Sequence, residues 1–170
     1  MTDISGELSR LSALSVLTGQ TVERILDTSG WQGERRNPAK QWATTWRRDG
    51  AHAWIQGDSS VQVEFTLWYR EIEDERPDPD TYIDELYDAA FSELPGVAAE
   101  LESGVLAGRL EAVDEDLTDG SDYIDHTAWR IADKVLLAGV KRDDTDAPVQ
   151  LVVVLRGYGT GEQDDAGEWL

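Results

Sequence analysis

The sequence has 170 residues, which is enough for one domain with a sizeable hydrophobic core. Thirty-five acidic residues against 15 basic ones give a net charge of −20, and this charge argues against binding to nucleic-acid phosphates. The chain has no cysteine, which excludes disulfides, thiolate catalysis and cysteine-based metal sites.

Two short helices and a loop are predicted for the first 40 residues. A helix is expected within residues 5–17, ended by Gly19, and a second helix runs from an N-cap at Thr21 to about Gly30. Residues 33–40 are expected to form a loop. Residues 1–20 lack the basic start and the continuous apolar stretch of a secretory signal. We therefore expect a cytoplasmic protein without a membrane span.

A three-stranded antiparallel meander is predicted next. Asp49-Gly50 is a strong signal for a two-residue hairpin turn between strands 42–47 and 51–56, and the turn 58–60 leads into strand 61–70. Alternation along these strands gives a core face made of Trp42, Thr44, Trp46, Ala53, Ile55, Val63, Phe65 and Leu67. The opposite face carries Arg47, His52, Trp54, Gln62, Glu64, Thr66 and Trp68.

A charged linker, residues 71–80, precedes a helix predicted over residues 81–94. Asp84 and Asp88 lie opposite its apolar stripe. Pro95-Gly96 is expected to break this helix, which resumes over 97–101.

The last third of the sequence predicts an acidic loop and three more strands. Residues 105–113 fit either a helix or a strand, and residues 114–126 are expected to be the loop. The strands are predicted over 127–131, 135–142 and 149–156, and the last is apolar on both faces, as central strands are.

An internal repeat is suggested by two matching pairs of residues. Trp46-Arg47 returns as Trp129-Arg130, and Val61-Gln62 returns as Val149-Gln150. We therefore predict an α+β fold in which an antiparallel sheet of two related helix plus three-strand units carries helices packed on one face. The units are residues 20–76 and 77–158 of a single domain, residues 1–161, and a flexible acidic tail follows over 162–170.

The sequence contains few arrangements of residues that could serve as a catalytic or metal-binding site. His52 and His126 are the only histidines, and neither has a nucleophile partner. Asp122 and Asp125 lie near His126 and could bind a metal with it. A solvated loop is the favoured interpretation of these residues. The stretch 114–125 has its glycine out of register for an EF-hand. The glycines of 157–161 precede acidic residues that repel phosphate. We expect no catalysis, no metal and no cofactor.

The uneven distribution of charge favours a protein partner. Residues 1–70 hold eight basic and eight acidic side chains, so the whole −20 falls in residues 71–170. Such asymmetry creates a directed field that steers a basic partner, although acidic surface also serves solubility.

Trp54 and Trp68 share the polar sheet face with His52, Glu64 and Arg47. Since Trp and Arg are enriched in binding hot spots, we predict a partner surface there. A helix, or the C-terminal tail with Trp169, is the alternative cover for this face. Asp84 and Asp88 are further candidates for partner binding.

The chain combines two acidic stretches, 71–88 and 114–125, with a Trp-rich, cysteine-free composition. In these features the chain resembles the immunity proteins of bacterial toxin systems, of the actinobacterial type. The resemblance implies a cytoplasmic protein that binds a cognate toxin, here a basic domain, and blocks its active site. We expect a monomer or a homodimer. A secretion chaperone that binds a client segment, and a small metal-dependent or carboxylate-based enzyme, are the alternatives.

Overall fold

The structure, a computed structural model, describes residues 2–35, 44–57, 61–70, 79–113, 123–142 and 148–157. These residues form three helices and an eight-stranded antiparallel sheet, which confirms the predicted α+β class. In chain order the elements are α1 Ser5–Ser12, α2 Gly19–Thr28, β1 Gln32–Arg35, β2 Thr44–Arg48, β3 Ala51–Gln56, β4 Gln62–Arg70, α3 Pro79–Ser103, β5 Glu111–Ala112, β6 Tyr123–Ile131, β7 Lys134–Lys141 and β8 Val149–Gly157. No helix in these ranges has the length and apolar character needed to cross a bilayer.

The sheet consists of two four-stranded meanders joined side by side. Its strand order is β1-β2-β3-β4-β8-β7-β6-β5, so β4 of the first meander pairs with β8 of the second. The β2–β3 hairpin pairs Trp46 with Ala53, and the β6–β7 hairpin pairs Trp129 with Leu136 in the same register. Each meander has one strand more than the predicted three-strand unit. Duplication of the unit stays a prediction that this common register favours.

The three helices pack on one face of the sheet. Leu8 of α1, Leu26 of α2 and Leu94 of α3 belong to the same buried cluster as the sheet residues Phe65 and Leu151. Phe65 is fully buried, and its ring centroid lies 5.6 Å from that of Trp31. Each Å² of apolar surface removed from water stabilises a fold by about 25 cal/mol. The layer between the helices and the sheet is therefore expected to be the main source of stability.

The start of α2 differs from the prediction. The N-cap is Thr18, whose Oγ1 accepts a hydrogen bond from the Thr21 backbone N–H at 3.3 Å. The Thr18 N–H donates in return to Thr21 Oγ1 at 3.3 Å, which completes a capping box. The predicted N-cap at Thr21 and the helix end at Gly19 were therefore wrong, because Gly19 is the first residue of α2.

The predicted break at Pro95-Gly96 was also wrong. Helix α3 is continuous from Pro79 to Ser103 and contains Pro95. Leu94, Val97 and Leu101 are all buried against the sheet. Packing of this stripe on both sides of Pro95 outweighs the roughly 3 kcal/mol that a proline costs inside a helix.

Strands replace parts of two predicted loops. Strand β1 occupies residues 32–35, where Gly33 lies opposite Trp46. A Cβ at Gly33 would lie 3.1 Å from the Trp46 ring, so glycine makes room for that side chain. Strand β6 already begins at Tyr123, within the predicted loop 114–126, and residues 105–113 form turns followed by β5.

Other predictions lie outside the described residues. They are the Trp42 start of the first strand, the turn 58–60, most of the linker 71–80, the acidic loop from 114 to 122 and the tail 162–170.

Candidate partner-binding surfaces

Three aromatic rings form a row on the sheet face opposite the helices. His52 and Trp54 lie two residues apart on β3, with ring centroids separated by 5.6 Å. The Tyr69 ring on β4 lies 5.5 Å from that of His52. Tyr69 is 36% exposed, and the other two rings are partly exposed. We call these three residues the aromatic row, and it has the composition typical of an interface hot spot.

Trp68 does not belong to this row, and its predicted place on the polar face was wrong. In β4, Thr66 pairs with Val152 but Trp68 pairs with Leu151, so Leu67 is an extra residue in a β-bulge. One extra residue reverses which face the following side chains occupy. Trp68 therefore packs against the helix-side core, where the Arg70 guanidinium lies 4.9 Å from its ring centroid.

The bulge brings Tyr69 into the aromatic row in place of Trp68. Sequence alternation missed this residue, since nothing in the run of β4 marks Leu67 as unpaired. Leu67, Trp68 and Arg70 line a cavity of about 370 Å³ at this irregularity.

The electrostatics of the aromatic row are set by Arg47. Arg47 is exposed and lies directly opposite His52 in the β2–β3 register. Burial lowers the pKa of His52 below its usual 6.5, and the positive charge of Arg47 lowers it further. At neutral pH His52 therefore presents an uncharged ring opposite the exposed guanidinium of Arg47.

Glu64 lies on the predicted face but in the interior of the protein. It is 7% exposed, and its Oε1 lies 2.8 Å from Lys141 Nζ on β7. Strand β8 separates β4 from β7, so this ion pair spans three strands. The geometry gives Glu64 a partner within the chain and favours a structural role for it.

A second surface lies on the outer side of α3, where Asp84 and Asp88 are both exposed. The sequence of α3 contains no lysine or arginine. None of the ion pairs found among the described residues involves a carboxylate of this helix. We call this surface the acidic face, and its exposed carboxylates are Asp84, Glu85, Asp88, Glu93, Glu100 and Glu102.

The two surfaces lie on opposite sides of the sheet. The structure brings Arg47, His52 and Trp54 together on one side, and it places Asp84 and Asp88 on the helix that covers the other. The two groups of predicted binding residues thus form two separate patches.

The second histidine is a strand residue. His126 lies in β6, where its backbone N–H donates to Asp125 Oδ1 at 2.9 Å. Across the described ranges, no three His, Asp or Glu side chains converge as metal ligands would. Asp122 and residues 158–161 of the glycine-rich stretch lie outside those ranges.

A scan of protein-family models matches none of them to this chain, and searches of curated proteins and of solved structures find no similar protein.

Proposed function

We propose that this protein is a non-catalytic protein-binding protein of the bacterial cytoplasm, specifically an immunity protein that neutralises a basic toxin enzyme through the acidic face of α3. The observation that carries the proposal is the unbalanced charge of this helix. Of the α3 residues whose exposure the structure describes, six are exposed carboxylates, and the helix contains no lysine or arginine.

The acidic face costs stability in the free protein. Like charges at spacings such as that of Asp84 and Asp88 destabilise a helix by about 0.2–0.5 kcal/mol per pair. A basic partner relieves this repulsion, and the long-range field accelerates its association. A carboxylate-rich face is therefore well suited to the rapid capture of a toxic enzyme.

The test uses the protein encoded by the neighbouring gene, with its C-terminal domain as the toxin. Asp84→Asn/Glu85→Gln/Asp88→Asn removes three charges from the acidic face. Asp27→Asn/Glu34→Gln/Glu111→Gln removes three exposed charges elsewhere and is the matched control. We expect the first variant to slow association by about tenfold at low salt, with a much smaller effect of the control.

Two results would overturn the proposal. One is an association rate that does not change with salt or with either variant. The other is a neighbouring protein that is not toxic, or that stays toxic when both proteins are co-expressed. A secretion chaperone would bind its client before that client folds and leave a folded toxin active.

The histidines separate the proposal from the enzyme alternative. His52→Gln/His126→Gln removes both imidazoles of the chain. We expect the folded double variant to neutralise the toxin as the parent does. Complete loss of protection in a folded variant that still binds the toxin would instead favour catalysis.

A further inference from the structure

Four residues of α3 form a single stripe beside its buried side. Asp84, Tyr87, Asp88 and Phe91 follow one another at spacings of three and four, which places them side by side on a helix. The rings of Tyr87 and Phe91 are stacked, with centroids 6.3 Å apart and an interplanar angle of 19°. We call these four residues the acidic–aromatic strip.

Other residues of the protein cover the acidic–aromatic strip only in part. Tyr87 and Phe91 pack against the core cluster but keep part of their surface in solvent. Asp84 and Asp88 are exposed, and no hydrogen bond or ion pair in the described part of the chain uses their side chains. Two carboxylates without a partner among the described residues thus lie beside two partly exposed aromatic rings.

We propose that the acidic–aromatic strip is a docking site for arginine side chains of a basic protein segment. The inference rests on the proposed function and assigns a residue chemistry to its partner. A guanidinium stacks on aromatic rings and pairs with a carboxylate through two parallel hydrogen bonds. A lysine ammonium is a more strongly hydrated point charge, so it gains less from the rings.

The charges elsewhere distinguish this strip from the aromatic row. Arg47 lies beside the row and repels a cation, and Glu64 is already paired with Lys141. On α3, exposed carboxylates that have no ion-pair partner among the described residues lie beside stacked aromatic rings. Charge complementarity therefore directs a basic segment to the acidic–aromatic strip.

The same helix supplies a matched control. Glu93 lies nine residues after Asp84, which is half a turn away around the helix axis at 3.6 residues per turn. Glu93 and Glu100 are exposed like Asp84 and Asp88. Glu93→Gln/Glu100→Gln therefore makes the same change of net charge as Asp84→Asn/Asp88→Asn outside the strip.

The probes are the peptides acetyl-(Gly-Arg)4-amide and acetyl-(Gly-Lys)4-amide, titrated into the ¹⁵N-labelled full chain and followed by NMR. We expect the arginine peptide to shift amide signals around residues 83–92 and to bind about threefold or more tighter than the lysine peptide. Asp84→Asn/Asp88→Asn should weaken binding clearly more than Glu93→Gln/Glu100→Gln does.

A ring-free variant tests the aromatic part without creating a large cavity. Tyr87→Leu/Phe91→Leu keeps apolar volume, and the dispersion of its NMR spectrum reports folding. We expect this variant to lose the preference for arginine over lysine. Unchanged preference, shifts spread over all acidic segments, or equal effects of the two charge variants would each refute the docking site.

Failure of this inference is distinguishable from failure of the proposed function. Arginine peptides that bind elsewhere would refute the strip, while toxin neutralisation by the parent protein would still support the immunity role. A neighbouring protein without toxicity would refute the immunity role, while arginine-selective shifts at residues 83–92 would still support the strip.

Discussion

The ion pair between Glu64 and Lys141 gives the sharpest test of how the sheet is held together. The two side chains are 9% and 15% exposed, with 2.8 Å between Glu64 Oε1 and Lys141 Nζ. Lys141→Met keeps most of the unbranched side chain and removes the ammonium group. Glu64 is then a buried carboxylate without its cation.

The expected loss follows from this burial. Removing one partner of a buried pair costs about 3–5 kcal/mol, and the residual exposure of Lys141 places the loss at the lower end, about 3 kcal/mol. For a domain of this size, each kcal/mol lowers Tm by about 2–4 °C, so we expect a decrease of about 6–12 °C.

Urea denaturation followed by tryptophan fluorescence measures this change through the seven Trp residues. The midpoint should fall without a change of slope, which marks a loss of stability in the native state. Adding Glu64→Gln to Lys141→Met removes the unpaired charge, so the double variant should regain most of the loss. Lys141→Arg keeps the cation and should stay close to the parent.

Two outcomes would refute the reasoning. A loss below about 0.5 kcal/mol would mean that the pair behaves like an exposed surface ion pair. A double variant that is no more stable than Lys141→Met would assign the loss to packing and not to the buried charge.

Three further predictions concern local features. Pro95→Ala should raise the urea midpoint by the equivalent of about 1–3 kcal/mol, because alanine restores a helical N–H; no gain would mean that Pro95 does not destabilise α3. Ala132 in the β6–β7 turn has a φ of 55°, which strains any residue other than glycine, so Ala132→Gly should stabilise the protein by about 0.5 kcal/mol and raise its Tm. A lower Tm would contradict this strain. Burial and Arg47 hold the pKa of His52 below its unfolded value of 6.5, so the unfolded chain takes up the proton first and stability falls as pH drops through that value. Between about pH 7.5 and about pH 5 the parent should lose more stability than His52→Gln, and equal losses would exclude His52 as the cause.

The sequence determined the features that depend on neighbouring residues. Asp49-Gly50 adopts φ values of 50° and 86°, the left-handed pair expected for a two-residue hairpin turn. The predicted partners Trp46–Ala53 and Ile55–Val63 are confirmed, because turn length and alternation set the register of a hairpin. The apolar stripe of α3 and the exposure of Asp84 follow in the same way from helical periodicity.

Other features depend on contacts between residues that are distant in the sequence, and only the tertiary structure reveals them. The bulge at Leu67 arises where β4 meets β8, and it alone moves Trp68 to the core side and Tyr69 to the aromatic row. Glu64 is withdrawn into an ion pair by a lysine 77 positions away. The continuity of α3 through Pro95 likewise depends on the sheet beneath it. In each case burial against a distant strand outweighs the local preference, and local patterns carry no information about that strand.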